Sequence, residues 1–190
     1  MSRRVFGYGS LVHRGTLRFT SCRAAVLEGF ERVWVRTPAR QLAYLSIRQA
    51  CGVQIAGLVA EVPDADWPAL DAREAGYDRV TVRVTLGDGA ETTAEVYAVP
   101  AGACLPPTER HPILRSYLDT VLAGFWAEYG PGAVADFVAT TRGWEAPILD
   151  DRARPRYSRA IAPDPALGAE IDAALAALGG LQPGRRTPAP

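Results

Sequence analysis

An α+β fold, a small mixed β-barrel or strongly curled sheet with surrounding helices, is what this sequence predicts. Three observations predict it. Short apolar stretches of strand character recur through residues 3–99, and one helical segment interrupts them. Gly87-Asp88-Gly89 joins two of them as a hairpin signal. After Pro106-Pro107 the pattern turns helical. The expected division is a barrel core over residues 1–105, a helical extension packed on it over 106–181, and a disordered tail over 182–190, rich in proline and arginine.

The elements follow in order. Residues 3–8 form a first strand ending in a glycine-bracketed turn, Gly7-Tyr8-Gly9-Ser10. From Ser21 to Arg36 the chain is strand-like, but the parity of its apolar positions shifts around Gly29, which predicts a bulge or bend. Tyr44–Ile47 and Val53–Val62 read as two further strands. A helix runs from about Asp66 to Ala75, with Asp64 or Asp66 as its cap, Pro68 in its first turn and Gly76 at its end. Tyr77–Leu86 alternates, with Val80, Val82 and Val84 on one face, and pairs with Ala94–Val99 across the hairpin.

An amphipathic helix follows over about Pro112–Tyr129, stopped by Gly130-Pro131. A second carries Val134, Phe137 and Val138 and stops near Gly143. Trp144–Ile161 has several prolines and little period, and is expected to wrap the surface. Leu167, Ile171, Leu175 and Leu178 mark a last helix ended by Gly179-Gly180. Trp126 and Trp144 are expected to join helices to sheet.

Composition narrows function. Of the 190 residues 48% are hydrophobic and 22% charged, and the net charge is zero, so neither nucleic acid nor an anionic membrane is expected as partner. Every basic residue is arginine, which excludes Schiff-base chemistry and a phosphate-loop lysine. Two histidines, His13 and His111, argue against a histidine-rich metal site. Cys22, Cys51 and Cys104 are few and widely spaced, as reduced thiols of a cytoplasmic protein are. No apolar run has the length of a signal peptide core or a membrane span.

Chemistry concentrates at two places. Tyr8-Gly9-Ser10-Leu11 ends the first strand with main-chain N–H groups that suit an anion. The third glycine of a dinucleotide fingerprint and the second glycine of a nucleophile elbow are both missing, since Val12 occupies either place. Glu74 shares a helical stripe with Trp67 and Leu70 at i, i+3 and i+7. An acid on such a stripe is either a half-buried ion-pair partner or a general acid/base whose pKa burial lifts. Arg73 is expected to face elsewhere on the helix, and Arg79 lies just beyond it. Ser10 as a nucleophile with His13 as base ranks lower, and His111 before Pro112 suits a helix cap.

Tyr8-Gly9-Ser10-Leu11 together with Arg73-Glu74-Ala75-Gly76-Tyr77 resembles the γ-glutamylcyclotransferase-like family, the AIG2-like and ChaC-like superfamily. The resemblance spans about Arg4 to Pro100. At His13 the chain departs from the ChaC pattern, where an aromatic is common. The resemblance implies the family's barrel and a cofactor-independent enzyme that releases 5-oxoproline from a small γ-glutamyl amide, the substrate's α-amine attacking its own γ-carbonyl. It implies Glu74 as the catalytic acid/base and Tyr8, Gly9, Ser10 and Leu11 as the substrate-binding loop, with no metal and no cofactor. The alternatives are a non-catalytic small-ligand-binding protein of the same fold and a γ-glutamyl-amine cyclotransferase. For the C-terminal helices two roles stay open, shaping the pocket mouth or forming a homodimer face.

Overall fold

A computed structural model describes residues 3–16, 19, 21–38 and 41–178. The expected Gly179-Gly180 stop and the tail lie outside the described residues.

Five strands build the centre: β1 (Arg3–Gly7), β2 (Cys22–Val35), β3 (Tyr44–Val62), β4 (Asp78–Leu86) and β5 (Glu91–Ala98). β1 runs antiparallel to β3, from Arg3 opposite Val62 to Gly7 opposite Leu58, and parallel to β5 at Val5 and Glu95. β5 pairs with β4, β4 with β2, and β2 back with β3, all antiparallel. The ring β3-β1-β5-β4-β2 therefore closes on itself as a five-stranded barrel.

The expected irregularity at Gly29 is present. The β2–β3 register jumps from Glu28 opposite Gln54 to Phe30 opposite Gln49, and Gly29 takes φ +74°. The two strands expected over 44–47 and 53–62 form one strand, because the pairing partner continues on both sides of the bulge. Gly87-Asp88-Gly89 turns β4 into β5, with Thr85 opposite Glu91. Val82 and Val84 are buried as their parity predicts, but Val80 is 45% exposed, lying nearer the barrel rim.

The interposed helix, α1 (Trp67–Arg73), is shorter than expected and follows a 3-10 turn at Asp64–Asp66. Neither aspartate caps it through its side chain; Asp64 instead pairs with Arg3 at 3.5 Å. Trp67 and Leu70 pack with Val5, Leu11 and Tyr97 in a small cluster of their own.

Beyond the barrel come β6 (Ile113–Leu114), α2 (Arg115–Tyr129), α3 (Ala133–Ala139), β7 (Thr141–Arg142), β8 (Ile148–Leu149) and α4 (Pro165–Ala176). α2 is buried on more sides than an amphipathic pattern implies, with Leu118–Phe125 all enclosed. Its Asp119 is neutralised by Arg115 at 3.0 Å and Arg152 at 2.7 Å. Asp164 caps α4, accepting the amides of Ala166 and Leu167. One continuous core joins Phe6, Leu27, Ile55 and Val84 of the barrel to Leu118, Leu122, Phe137 and Ile171 of the helices. Among the described residues, no helix is long and apolar enough to cross a membrane.

The segment after Trp144 does wrap the surface, and it is firmly attached. Asp151 is buried, and its carboxylate accepts the Ser116 amide at 2.7 Å, the Ser116 hydroxyl at 2.7 Å and the Arg156 amide at 2.9 Å. It thereby caps the start of α2 while fixing the strap that follows. The Ile161 amide donates to Thr120 Oγ1 at 2.9 Å. Residues 151–161 are thus held along α2 at both ends.

Candidate active site

β1 ends at Gly7, and the chain turns through Tyr8 and Gly9 into a 3-10 turn at Ser10–Val12. A cavity of about 270 Å³ opens beside this turn. Its wall includes Ser10, Arg73, Glu74, Tyr77 and Tyr117, and on the outer side Arg156, Tyr157 and Arg159. A narrow inner cleft continues from it between Gly9, Leu11, Tyr8 and Tyr97. Ser10, Glu74, Tyr77 and Tyr117 line both parts, so Glu74 stands where they meet.

Glu74 is the residue that terminates α1. Its backbone has left the helix (φ −95°, ψ 24°), while its amide still donates to the Leu70 carbonyl. That departure turns the side chain, and Arg73 Nε lies 3.0 Å from Glu74 Oε1. The expectation that Arg73 faces elsewhere is therefore corrected: it assumed helical geometry one residue too far. Arg79 instead pairs with Asp71 at 3.2 Å. The Glu74 side chain is 17% exposed. Burial pushes its carboxyl above the usual carboxylate range, and the charges of Arg73 and Arg159 oppose that rise.

The loop is held from two sides. Arg73, 9% exposed, donates to the Thr16 carbonyl at 2.6 Å and to Ser10 Oγ at 3.3 Å. Behind the loop, Arg32 is buried and donates its Nε–H to the Tyr8 carbonyl at 2.9 Å and a second N–H to the Ala56 carbonyl. Its guanidinium lies 4.7 Å from the Phe125 ring centre and 4.8 Å from that of Phe137. Burial pulls the Arg32 pKa down to about 9, which leaves it cationic at neutral pH.

Tyrosines surround the carboxylate. Tyr8 Oη donates to the Tyr97 carbonyl at 2.6 Å and Tyr77 Oη to the Leu45 carbonyl at 3.1 Å. Burial raises the pKa of Tyr8, Tyr77 and Tyr117, and the negative charge of Glu74 adds to each rise. Tyr117, from α2, brings its hydroxyl to the loop, where the Ser10 backbone works against that rise. Gly9 makes that approach possible: a Cβ there would stand 2.8 Å from Tyr117 Oη and 3.1 Å from Leu45 Cδ2. The amides of Gly9 and Leu11 meet no protein acceptor among the described residues.

The structure thus brings Tyr8, Gly9, Ser10, Leu11 and Glu74 to one cavity. Leu11 contributes there while its side chain packs with Trp67 and Leu70. Ser10 has Arg73 as its hydroxyl partner, and His13 Nδ1 accepts the Gly15 amide at 3.0 Å. Sequence reasoning missed Arg73, Tyr117, Arg156, Tyr157 and Arg159 as lining residues, and named neither Tyr77 nor Tyr97 as a site residue. The one available signal was the density of arginine at Arg152, Arg154, Arg156 and Arg159 in a segment without period. Among the described residues, no group of three histidine, cysteine, aspartate or glutamate side chains is placed to hold a metal ion.

Known proteins can be set beside this geometry. The fold is similar to a solved gamma-glutamyl cyclotransferase, with a TM-score of 0.60 and 18% identity over 91% of this chain and 99% of that one. An uncharacterized protein from Homo sapiens is as close, at 0.60 and 19%, over 90% of this chain and 98% of its own. YkqA from Bacillus subtilis gives 0.58 and 16%, over 75% of this chain and 56% of its own. At these identities the likeness is one of fold. No functionally curated protein matches the chain in sequence. The sequence profile described as gamma-glutamyl cyclotransferase, AIG2-like, matches residues 5–118, a stretch that holds the loop, Arg73, Glu74 and Tyr117. The chain belongs to the AIG2-like gamma-glutamyl cyclotransferase family.

Proposed function

We propose that this protein releases 5-oxoproline from a γ-glutamyl amide, with Glu74 as general acid/base. The observation that carries the reading is a half-buried carboxylate at the junction of a glycine-turn cleft and a wider chamber, in a member of this family. The γ-glutamyl group enters the cleft, and its carboxylate or developing oxyanion meets the free amides of Gly9 and Leu11. The substrate's α-ammonium loses a proton to Glu74. The freed amine attacks the γ-carbonyl, a C–N bond closes the five-membered ring, and the old amide C–N bond breaks. Glu74 returns the proton to the leaving nitrogen and carries the attacking nitrogen's second proton to it in the same way, so the leaving group departs as an ammonium and the ring keeps one N–H. Both reacting groups belong to one molecule, so proximity supplies about 7–11 kcal/mol of the barrier, and the proton transfers about 10²–10⁴-fold.

Arg73 orients the acid. It lies against Oε1, and its charge opposes the rise that burial gives the carboxyl. The raised pKa suits a group that must both take and give a proton near neutral pH.

The same Arg73–Glu74 pair favours a second reading, a non-catalytic protein that binds a small acidic ligand in this cavity. A panel of γ-glutamyl amino acids, glutathione and γ-glutamyl amines, assayed for 5-oxoproline, separates the two. Turnover of at least one member supports the enzyme. Binding of members without 5-oxoproline release supports the second reading.

A further inference from the structure

The outer chamber carries more positive charge than the γ-glutamyl head requires. Arg156 and Arg159 line it and are exposed, and neither is ion-paired among the described residues. Their neighbour Arg152 shows the contrast, since it is tied to Asp119 at 2.7 Å and to Asp172 at 3.1 Å. Arg73, the remaining arginine of the chamber, is matched by Glu74. With Glu74 ionised, the wall holds two cations in excess.

These cations sit on a fixed segment. The Arg156 amide is anchored by Asp151 at 2.9 Å, the Tyr157 amide donates to Ser116 Oγ at 3.3 Å, and the Ala160 amide closes a turn on the Tyr157 carbonyl at 3.1 Å. The Tyr157 ring meets the Tyr117 ring edge-on, with centres 5.1 Å apart. Arg159 is close enough for its charge to act on Glu74.

A γ-glutamyl amine carries one ammonium and one carboxylate on its head, is neutral overall, and leaves both cations unbalanced. A substrate whose leaving part ends in a second carboxylate matches them. That carboxylate would also disfavour ionisation of Glu74 if nothing offset it, and two guanidinium groups on the same wall do so. We propose that Arg156 and Arg159 bind a carboxylate on the leaving half of the substrate, so that the enzyme prefers γ-glutamyl amino acids and peptides to γ-glutamyl amines. This rests on the cyclotransferase reading above and names the substrate class of that site.

The test uses the full chain and two compounds that differ by one group, γ-glutamyl-alanine and γ-glutamyl-ethylamine. The ratio of their kcat/KM values for 5-oxoproline release is compared in the wild type, Arg156→Gln, Arg159→Gln, the double variant, and Arg159→Lys. The wild type is expected to favour the acid by about tenfold, exposure weakening what a buried charged hydrogen bond would give. The double variant should bring the ratio near one, and Arg159→Lys should keep part of the preference. The ratio cancels the part of any change at Glu74 that both substrates share, and calorimetric binding of the pair reads the carboxylate contact without the proton transfer. Added salt should shrink the preference. Equal rates in the wild type, or a preference that survives the double substitution, overturn the assignment. If no γ-glutamyl compound is turned over, the cyclotransferase reading fails, and calorimetry with the same pair still decides: tighter binding of the acid, lost in the double variant, supports the carboxylate site, and equal binding overturns it.

Discussion

The Arg73 guanidinium faces Glu74 Oε1 at 3.0 Å on one side and holds the Thr16 carbonyl and Ser10 Oγ on the other. One side chain therefore couples the acid at the end of α1 to the loop at the end of β1, two elements far apart in sequence. Position of the acid, position of the loop and ionisation of the acid are linked through it.

Replacing Arg73 tests that link. Arg73→Met removes the charge that works against the burial of Glu74, so the acid limb of the kcat/KM profile is expected to move to higher pH. The Thr16 carbonyl loses its partner, at a cost of about 1–3 kcal/mol in stability. Steady-state kinetics over a pH series, with thermal unfolding beside it, reads both. An unmoved acid limb would show that Arg73 does not set the ionisation of the group that catalyses.

Stability has its own pH dependence. Burial lifts the folded-state pKa of Glu74 above its unfolded value, so folding favours the protonated form. The stability this contributes is full below the unfolded pKa and is lost as pH rises through the folded one. Glu74→Gln removes that loss. The Tm of the variant minus that of the wild type is expected to grow as pH rises from about 4, the range of an unfolded carboxylate, through the raised folded-state pKa. A gap that stays constant with pH contradicts a raised pKa.

Gly9 and Tyr117 form a second linked pair. A Cβ at Gly9 would meet Tyr117 Oη at 2.8 Å, so Gly9→Ala is expected to push the loop away from the cavity and lower kcat/KM by at least about tenfold. Tyr117→Phe removes the obstructing oxygen. In the Gly9→Ala background it should restore part of what was lost, and a double-mutant cycle measures the coupling. Purely additive losses would mean that the contact is unimportant.

Arg32 supports the loop from behind. Arg32→Met keeps the bulk between Phe125 and Phe137 but orphans the Tyr8 and Ala56 carbonyls, at about 1–3 kcal/mol for each. Chemical denaturation is expected to show that loss, and kcat/KM should fall with it because Tyr8 belongs to the cleft. Stability lost with kcat/KM unchanged would make Arg32 a core residue without influence on the site.

The barrel was legible in the sequence because each strand carries a local signal. Val82 and Val84 alternate inward, Gly87-Asp88-Gly89 sets the hairpin, and Gly29 marks the bulge. The closure of β2 on β3 was legible only as a class, since pairing between segments leaves no mark on either alone. Within the site, Glu74 and the Tyr8–Leu11 turn announce themselves by chemistry that a packed core does not need. Arg73 was misplaced because a single residue at the helix end changes which way Glu74 points. Tyr117 was hidden in an apolar stripe. Arg156, Tyr157 and Arg159 were hidden because amides of their segment donate to Asp151, Ser116 and Thr120 and so place it, and no periodicity records such bonds.

The central claim is that the Glu74 carboxylate moves the protons of the ring closure. Its most direct test is single-turnover release of 5-oxoproline from γ-glutamyl-alanine by the wild type and by Glu74→Gln, with calorimetric binding of the same compound to both. The account predicts that the variant still binds and that its rate falls by about 10²–10⁴-fold. A Glu74→Gln protein that binds and releases 5-oxoproline at the wild-type rate would contradict it.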